Sequence, residues 1–325
     1  MKNELLNNID RYNPPNENCW VGRTTASALG IQYWYQAIET INLQKSPLIS
    51  ADIALLGYQC EEGIRRNLGR IGAKEGADAV RKQLSNLAFH HVHKSIIDVG
   101  NVVCDDRNLA STQQTISNII SKLVSHNTFP IVIGGGHDVA YGHFKGLHQG
   151  LNLKEDAKIG IINFDAHFDL RPVVKAGNSG TPFSQILEEY GESVKYLALG
   201  IQQQSNSKEL FDNAERLGVK YLLNYDCEVS NINAIFSTID TFKAEMDYLY
   251  ITIDMDGFSS AYAPGVSAPS PMGFTPFFVF KTLEYIFKTK TVVGLDIAEL
   301  SPKYDLDNAT ARLASRLIDF VVGQV

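Results

Sequence analysis

Residues 161–170 read IINFDAHFDL, and Asp165, His167 and Asp169 fall at every second position as an apolar run (159–164) ends. Side chains two apart in extended chain face the same way, so these three converge on one side. Two carboxylates and an imidazole together suit a divalent cation. Left unpaired beside a buried strand they would be costly. Two other stretches repeat the theme. The run YLYITI leads into Asp254 and Asp256, carboxylates that repel each other unless a cation lies between them. The run 129–133 leads into GGGHD, which carries His137 and Asp138. GGGHD is neither a phosphate-cradling loop, since no GK[ST] follows, nor a GxGxxG fingerprint, since Val139 occupies the third glycine's place. Its glycines allow close approach of a neighbouring backbone.

Each stretch alone would also suit a solvated turn or a helix cap. Jointly they point to metal chemistry, because two divalent cations balance four aspartates with one histidine for each ion. An oxygen-rich set of this kind favours manganese over zinc, cobalt or iron. Water bridging two such ions would have its pKa lowered towards ~7, so the chemistry expected is metal-activated hydrolysis.

The elements that must position these residues alternate regularly. Apolar runs at 53–57, 95–99, 129–133, 159–164, 196–200, 221–224, 248–253 and 291–295 read as strands. Helical spacing occupies 76–88, 111–124, 181–190, 208–217, 231–245, 276–287 and 308–322. His143 is set on a helix after GGGHD and given no role. Near-continuous apolar strands between helices predict one α/β domain, with a mainly parallel sheet of about eight strands covered on both faces. Ligands bind such sheets at the carboxyl ends of the strands. The DIAELSP segment, with Asp296 and Glu299, joins the three metal-type motifs there. Residues 1–50 are polar with scattered aromatics and are taken as a lead-in packed on a single domain at 51–325.

With 44% apolar and 20% charged residues, the 325-residue chain can bury a substantial core. Its net charge of -7 argues against nucleic acid and anionic membranes as partners. The N-terminus lacks a secretory apolar region and no run is long enough to span a bilayer, so a cytoplasmic location is expected. Cys19, Cys60, Cys104 and Cys227 stand far apart, as reduced thiols do.

GGGH, DAHFD, and ITIDMD followed by APG are similar to the three signature motifs of the ureohydrolases: arginases, agmatinases and formimidoylglutamases. The resemblance runs from about Ala51 to the C-terminus and implies an arginase-like three-layer α/β/α sandwich with two manganese ions per chain. By that resemblance His137, Asp165, Asp169 and Asp254 hold one ion. His167, Asp165, Asp254 and Asp256 hold the other. Ser260 departs from the third motif, which usually has Pro, Ala or Gln there, but lies outside the ligands. Arginases place a proton-shuttling histidine in a segment like SGNLH; here residues 179–183 read SGTPF, with Phe183 in its place. SGTPF, GGGH and the arginine-rich segment 60–81 resemble formimidoylglutamases instead. The implied reaction is hydrolysis of N-formimidoyl-L-glutamate to L-glutamate and formamide in histidine degradation.

That substrate has two carboxylates and a cationic amidine head. Arginine pairs with carboxylates bidentately, which makes Arg65, Arg66 and Arg171, with Ser179 beside them, the expected substrate-binding residues; Arg70 is also available. Surface or inter-subunit ion pairs are the competing reading for Arg65 and Arg66. By the same resemblance Glu299 is expected to hold the amidine head and Asp169 to carry the proton. The partner is a small-molecule substrate, and a homo-oligomer is left open. Rival readings are a ureohydrolase acting on a guanidino compound, a non-catalytic metal-binding relative, and a single-zinc deacylase, against which the second ligand set argues.

Overall fold

A computed structural model describes residues 9–24, 30–289 and 291–325; the rest of the expected lead-in, 1–8 and 25–29, lies outside the described residues. The strands in chain order are β1 (Tyr12–Asn13), β2 (Glu39–Thr40), β3 (Ile53–Gln59), β4 (Ile96–Val103), β5 (Phe129–Ile133), β6 (Ile159–Phe164), β7 (Val194–Ile201), β8 (Lys220–Leu223), β9 (Tyr248–Asp254) and β10 (Val292–Ala298). The α-helices are α1 (Trp34–Ala37), α2 (Glu62–Arg66), α3 (Gly76–Leu84), α4 (Leu109–Ser125), α5 (Val139–Gly150), α6 (Pro182–Tyr190), α7 (Lys208–Arg216), α8 (Ile232–Lys243), α9 (Pro276–Ile286) and α10 (Ala309–Val322).

One sheet runs β1-β4-β3-β5-β10-β9-β6-β7-β8, with β2 also paired to β4. Only β1 is antiparallel. The eight expected strands are all present and parallel, and all but the half-exposed edge strand β8 are largely buried on both faces, as their unbroken apolar runs require. Successive side chains divide between the faces. On β3, Ile53 and Leu55 join the core under α3, α8, α9 and α10, whereas Ala54 and Leu56 join the core under α4, α5, α6 and α7. The result is the three-layer α/β/α sandwich.

Four neighbouring strands, β5, β10, β9 and β6, carry the motifs. Their ends are level: Ile133 pairs with Ile297, Ala298 with Asp254, and Phe164 with Ile253. GGGHD, DIAEL, DMD and DAHFD therefore emerge side by side. Residues far apart in sequence meet because parallel crossover connections return every strand in the same direction.

Helix α2, absent from the expected pattern, and α5, expected only as the helix carrying His143 and without bounds, border this edge. The α5 sequence, VAYGHFKGLHQG, carries glycines that weaken a helix taken alone. Packing supplies the reason for them. A Cβ at Gly142 would lie 2.6 Å from Ile116, at Gly146 2.6 Å from Ile120, and at Gly150 2.7 Å from the Ser121 carbonyl. The glycines let α5 press directly on α4. In the described part of the first fifty residues, β1 and β2 pair with β4, and the Trp20 indole donates to Asp98 at 2.8 Å. Among the described residues no helix is long and apolar enough to cross a membrane.

Candidate metal centre and active-site pocket

Local hydrogen bonds aim the carboxylates. Asp165 Oδ1 accepts from the His167 N–H at 2.7 Å, and Oδ2 from the Asn163 amide at 3.0 Å. Asp254 Oδ1 accepts from the Asp256 N–H at 2.7 Å. His137 arrives on the glycine loop, whose Gly134 N–H donates to Ile297 and whose Gly136 N–H donates to Cys60. A Cβ at Gly135 would fall 1.8 Å from the Cys60 carbonyl oxygen, so the sharp approach needs glycine there. Asp169 (φ 49°) and Glu299 (φ 67°) both adopt left-handed backbone, uncommon for such residues and concentrated at functional sites.

Two donor sets result. His137, Asp165, Asp169 and Asp254 each turn one donor atom into a common ring, and Asp165, His167 and Asp256 form an adjoining one. His137 Nδ1 lies 3.1, 3.0 and 3.2 Å from carboxylate oxygens of Asp165, Asp169 and Asp254. His167 Nδ1 lies 3.5 Å from Asp165 and 3.3 Å from Asp256. All six residues expected to bind metal thus come together, with Asp165 shared. Asp254, expected to serve both ions, turns Oδ2 to His137 in the first ring, while its Oδ1 accepts the Asp256 N–H just as Asp165 Oδ1 accepts the His167 N–H.

The electrostatics are those of a cation site. Burial would lower the His137 pKa, but Asp165, Asp169 and Asp254 outweigh it and hold it well above the usual imidazole range. His167 is raised likewise by Asp256 and Asp165 against burial. Burial and then Asp165 push Asp169 up to about 6. For Asp254 burial, Asp256 and Asp165 act in the same direction. Asp165 resists burial and lies below the ordinary carboxylate range because both histidines sit against it. Burial, followed by Asp256, raises Glu299 to about 8. His137 Nδ1 and Asp256 Oδ1 are buried without a hydrogen-bond partner. Four carboxylates, two imidazoles and these orphaned donor atoms fit divalent cations of the manganese class.

The rings floor a cavity of about 210 Å³. Of the expected substrate contacts, Arg171, Ser179 and Glu299 line it. Glu299 Oε1 accepts the His137 N–H at 2.8 Å. Asn67 Nδ2 donates to Ser179 Oγ at 3.2 Å, leaving the hydroxyl hydrogen for a ligand. The arginines divide sharply. Arg66 donates to Glu62, Gly177 and Arg107, so it braces the 171–181 loop and lines only neighbouring hollows. Arg65 pairs with Glu61 and Glu62 and is not among the residues lining the cavity. Arg70 donates to the Ser267 and Val266 carbonyls and stacks on Tyr304. Among the described residues, Arg171 alone of the four has a guanidinium with no hydrogen-bond or ionic partner while facing the cavity.

Phe183 does not face the cavity. It is fully buried beneath His137, edge to face at 5.3 Å, and stacked on Tyr196 at 4.5 Å. The sequence reading missed Asn67, Ser205, Asn206 and Ser267 on the wall. Asn206 fastens the DAHFD loop by accepting the Phe168 N–H and donating to the Ala166 carbonyl. An isolated polar residue in a loop gives no periodic signal, so nothing in the sequence marks these positions.

A model of the arginase family matches residues 51–323. A formimidoylglutamase of Clostridium tetani is 38% identical over 325 aligned residues, covering 97% of this chain and 96% of the relative. One from Geobacillus thermodenitrificans is 40% identical, covering 94% of each. Among solved structures, a formiminoglutamase variant of Trypanosoma cruzi with manganese superposes with a TM-score of 0.75 at 26% identity, over 84% of this chain and 93% of that one. The Bacillus subtilis formimidoylglutamase has the same fold, with a TM-score of 0.76 at 24% identity, over 83% and 86% of the two chains.

Proposed function

Because the chain belongs to the arginase family, we propose that its two rings are a dinuclear manganese centre serving hydrolysis of the formimidoyl C–N bond of N-formimidoyl-L-glutamate. The products are L-glutamate and formamide, a step of histidine degradation. The observation that carries this reading is the pair of rings sharing Asp165, set beneath a cavity with one uncommitted arginine.

His137, Asp165, Asp169 and Asp254 would hold one ion, and Asp165, His167 and Asp256 the other. The ion pair, when bound, polarises water for attack on the amidine carbon. Glu299 accepts hydrogen bonds from the cationic head of the substrate, its carboxyl fixed by the His137 N–H. Arg171 pairs with a substrate carboxylate through its two-pronged guanidinium, and the Ser179 hydroxyl donates beside it. Arg66 acts through the loop that it braces, and Arg65 supports α2 through its glutamates. Asp169, at the ring's open edge, passes a proton to the leaving glutamate nitrogen. Asp165, Asp254, Asp256 and Glu299 are themselves buried, which strengthens these charges.

Metal-assayed protein offered formimidoylglutamate, arginine, agmatine and guanidinobutyrate is expected to turn over the first fastest and to carry near two manganese ions per chain. Fastest turnover of arginine would overturn the substrate and leave the metal reading intact. Absence of bound metal would overturn both.

A further inference from the structure

Behind the rings lies a second polar group that the reaction does not touch. Tyr250 and Thr252 alternate with Asp254 along β9 and share its face, and Asp296 on β10 is the register partner of Thr252. All three, with His143 from α5, are fully buried. Asp296 collects three contacts: Thr252 Oγ1 at 2.6 Å, His143 Nδ1 at 2.7 Å, and the Tyr250 hydroxyl. His137 Nε2 lies 2.8 Å from the same Thr252 oxygen. Room for His143 comes from Gly294, where a Cβ would lie 3.0 Å from its Nε2.

The direction of each hydrogen bond follows from chemistry. The Asp296 carboxyl accepts from both hydroxyls that face it, so the Thr252 hydroxyl spends its hydrogen on Asp296. The Thr252 oxygen can then only accept from His137, which fixes the hydrogen on Nε2. Nδ1, the orphaned atom facing Asp165, Asp169 and Asp254, is then the nitrogen that gives up its proton to a cation and presents its lone pair.

We infer that Asp296, acting through Thr252, is a positioning residue that selects the metal-binding tautomer of His137, with Tyr250 and His143 locking the carboxylate in place. The inference rests on the dinuclear reading above and extends it to residues that touch neither substrate nor ion. Partners of a metal-ligating histidine typically change metal affinity by about 10–100-fold when removed.

The test is stepwise manganese titration of metal-stripped protein by calorimetry, alongside melting of the metal-free forms. Thr252→Val keeps the shape and removes the hydroxyl; it is expected to weaken one of the two binding steps by about 10–100-fold and spare the other. Thr252→Ser restores the hydroxyl and should bind both ions as the unaltered chain does. Asp296→Asn should follow Thr252→Val. If Asp296→Asn fails to fold, the valine and serine pair decides alone. Two ions bound by Thr252→Val with unaltered affinity would overturn the inference, as would a serine variant as weak as the valine one. Either result leaves the parent reading standing. Failure of the unaltered chain to bind manganese would overturn that reading and this one together.

Discussion

The carboxylate rings and the arginine-bearing rim share one cavity but are built on opposite plans. Ring residues sit at the level ends of β5, β6 and β9 and are aimed by bonds spanning two residues, as from the His167 N–H to Asp165 and from the Asp256 N–H to Asp254. Rim residues sit on the five-residue helix α2 and the 171–181 loop, held by contacts such as that from Arg66 to Gly177, 111 residues away. A ring is therefore specified by motif spacing, and a rim by tertiary packing. The ring should fail at any member, whereas the rim should show one residue that matters to the ligand beside others that matter to the scaffold.

The largest effect belongs to Asp165, the residue both rings use. Asp165→Asn removes a charge from each set and is expected to lower kcat by roughly 10²–10³-fold or more, with manganese content falling below two ions per chain. A variant that kept both ions and full rate would break the ring as drawn. Next comes Arg171. A charge-assisted hydrogen bond is worth about 1.5–3 kcal/mol, and every 1.4 kcal/mol is about tenfold. Arg171→Met should therefore raise KM for formimidoylglutamate by about 10–100-fold with metal content unchanged, while Arg65→Met should leave KM within about threefold. The reverse order would show that the rim rearranges on binding.

This contrast also explains what was legible in the sequence. Eight strands and six clustered ligands could be read because period-two patterning and strand-end position survive translation into space. The arginines could not be sorted, because Arg65, Arg66, Arg70 and Arg171 differ in what distant segments offer them. Helix α5 was placed only through His143, its extent masked by glycines whose purpose is contact with α4.

Asp138 lies on the seam between the two regions. It follows His137 in sequence, and a Cβ at Gly63 of α2 would lie 1.9 Å from its Oδ1. Burial pushes its carboxyl up to about 7, with a Tyr58 hydroxyl at 2.7 Å pulling the other way. The unfolded chain ionises this group near pH ~3.9. Between that value and about 7 the native state holds the extra proton, so its contribution is complete at low pH and is lost as pH rises through the folded value. Asp138→Asn keeps an acceptor for Tyr58 without the titration. Relative to the unaltered chain it should gain stability between pH 5 and pH 8, on the order of 2–4 kcal/mol, as measured by urea unfolding of metal-free protein. Parallel pH profiles for the two proteins would mean that water reaches the seam.

The smallest effect reports on the root of the rim. Gln59 and Val103 pair at the ends of β3 and β4, so Cys60 and Cys104 follow as neighbours. The thiol of Cys60 hydrogen-bonds to that of Cys104, lowering the Cys104 pKa to about 6 against partial burial and raising that of Cys60. Burial raises Cys19 to about 11 and Cys227 to about 12. The thiolate is the nucleophile, so iodoacetamide at pH 7 should label Cys104 first, with the order read by peptide mass spectrometry. Cys60→Ala removes the donor and should slow that labelling by about twofold for the first unit of pKa regained and by up to about tenfold for each further unit, following the thiolate fraction at pH 7. The Cys60 carbonyl accepts the Gly136 N–H, and Cys60 also leads into α2. Unchanged labelling in Cys60→Ala would therefore mean that the segment joining ring and rim does not hold its thiol against Cys104 in solution, and that the rim is looser at its root than the ring it borders.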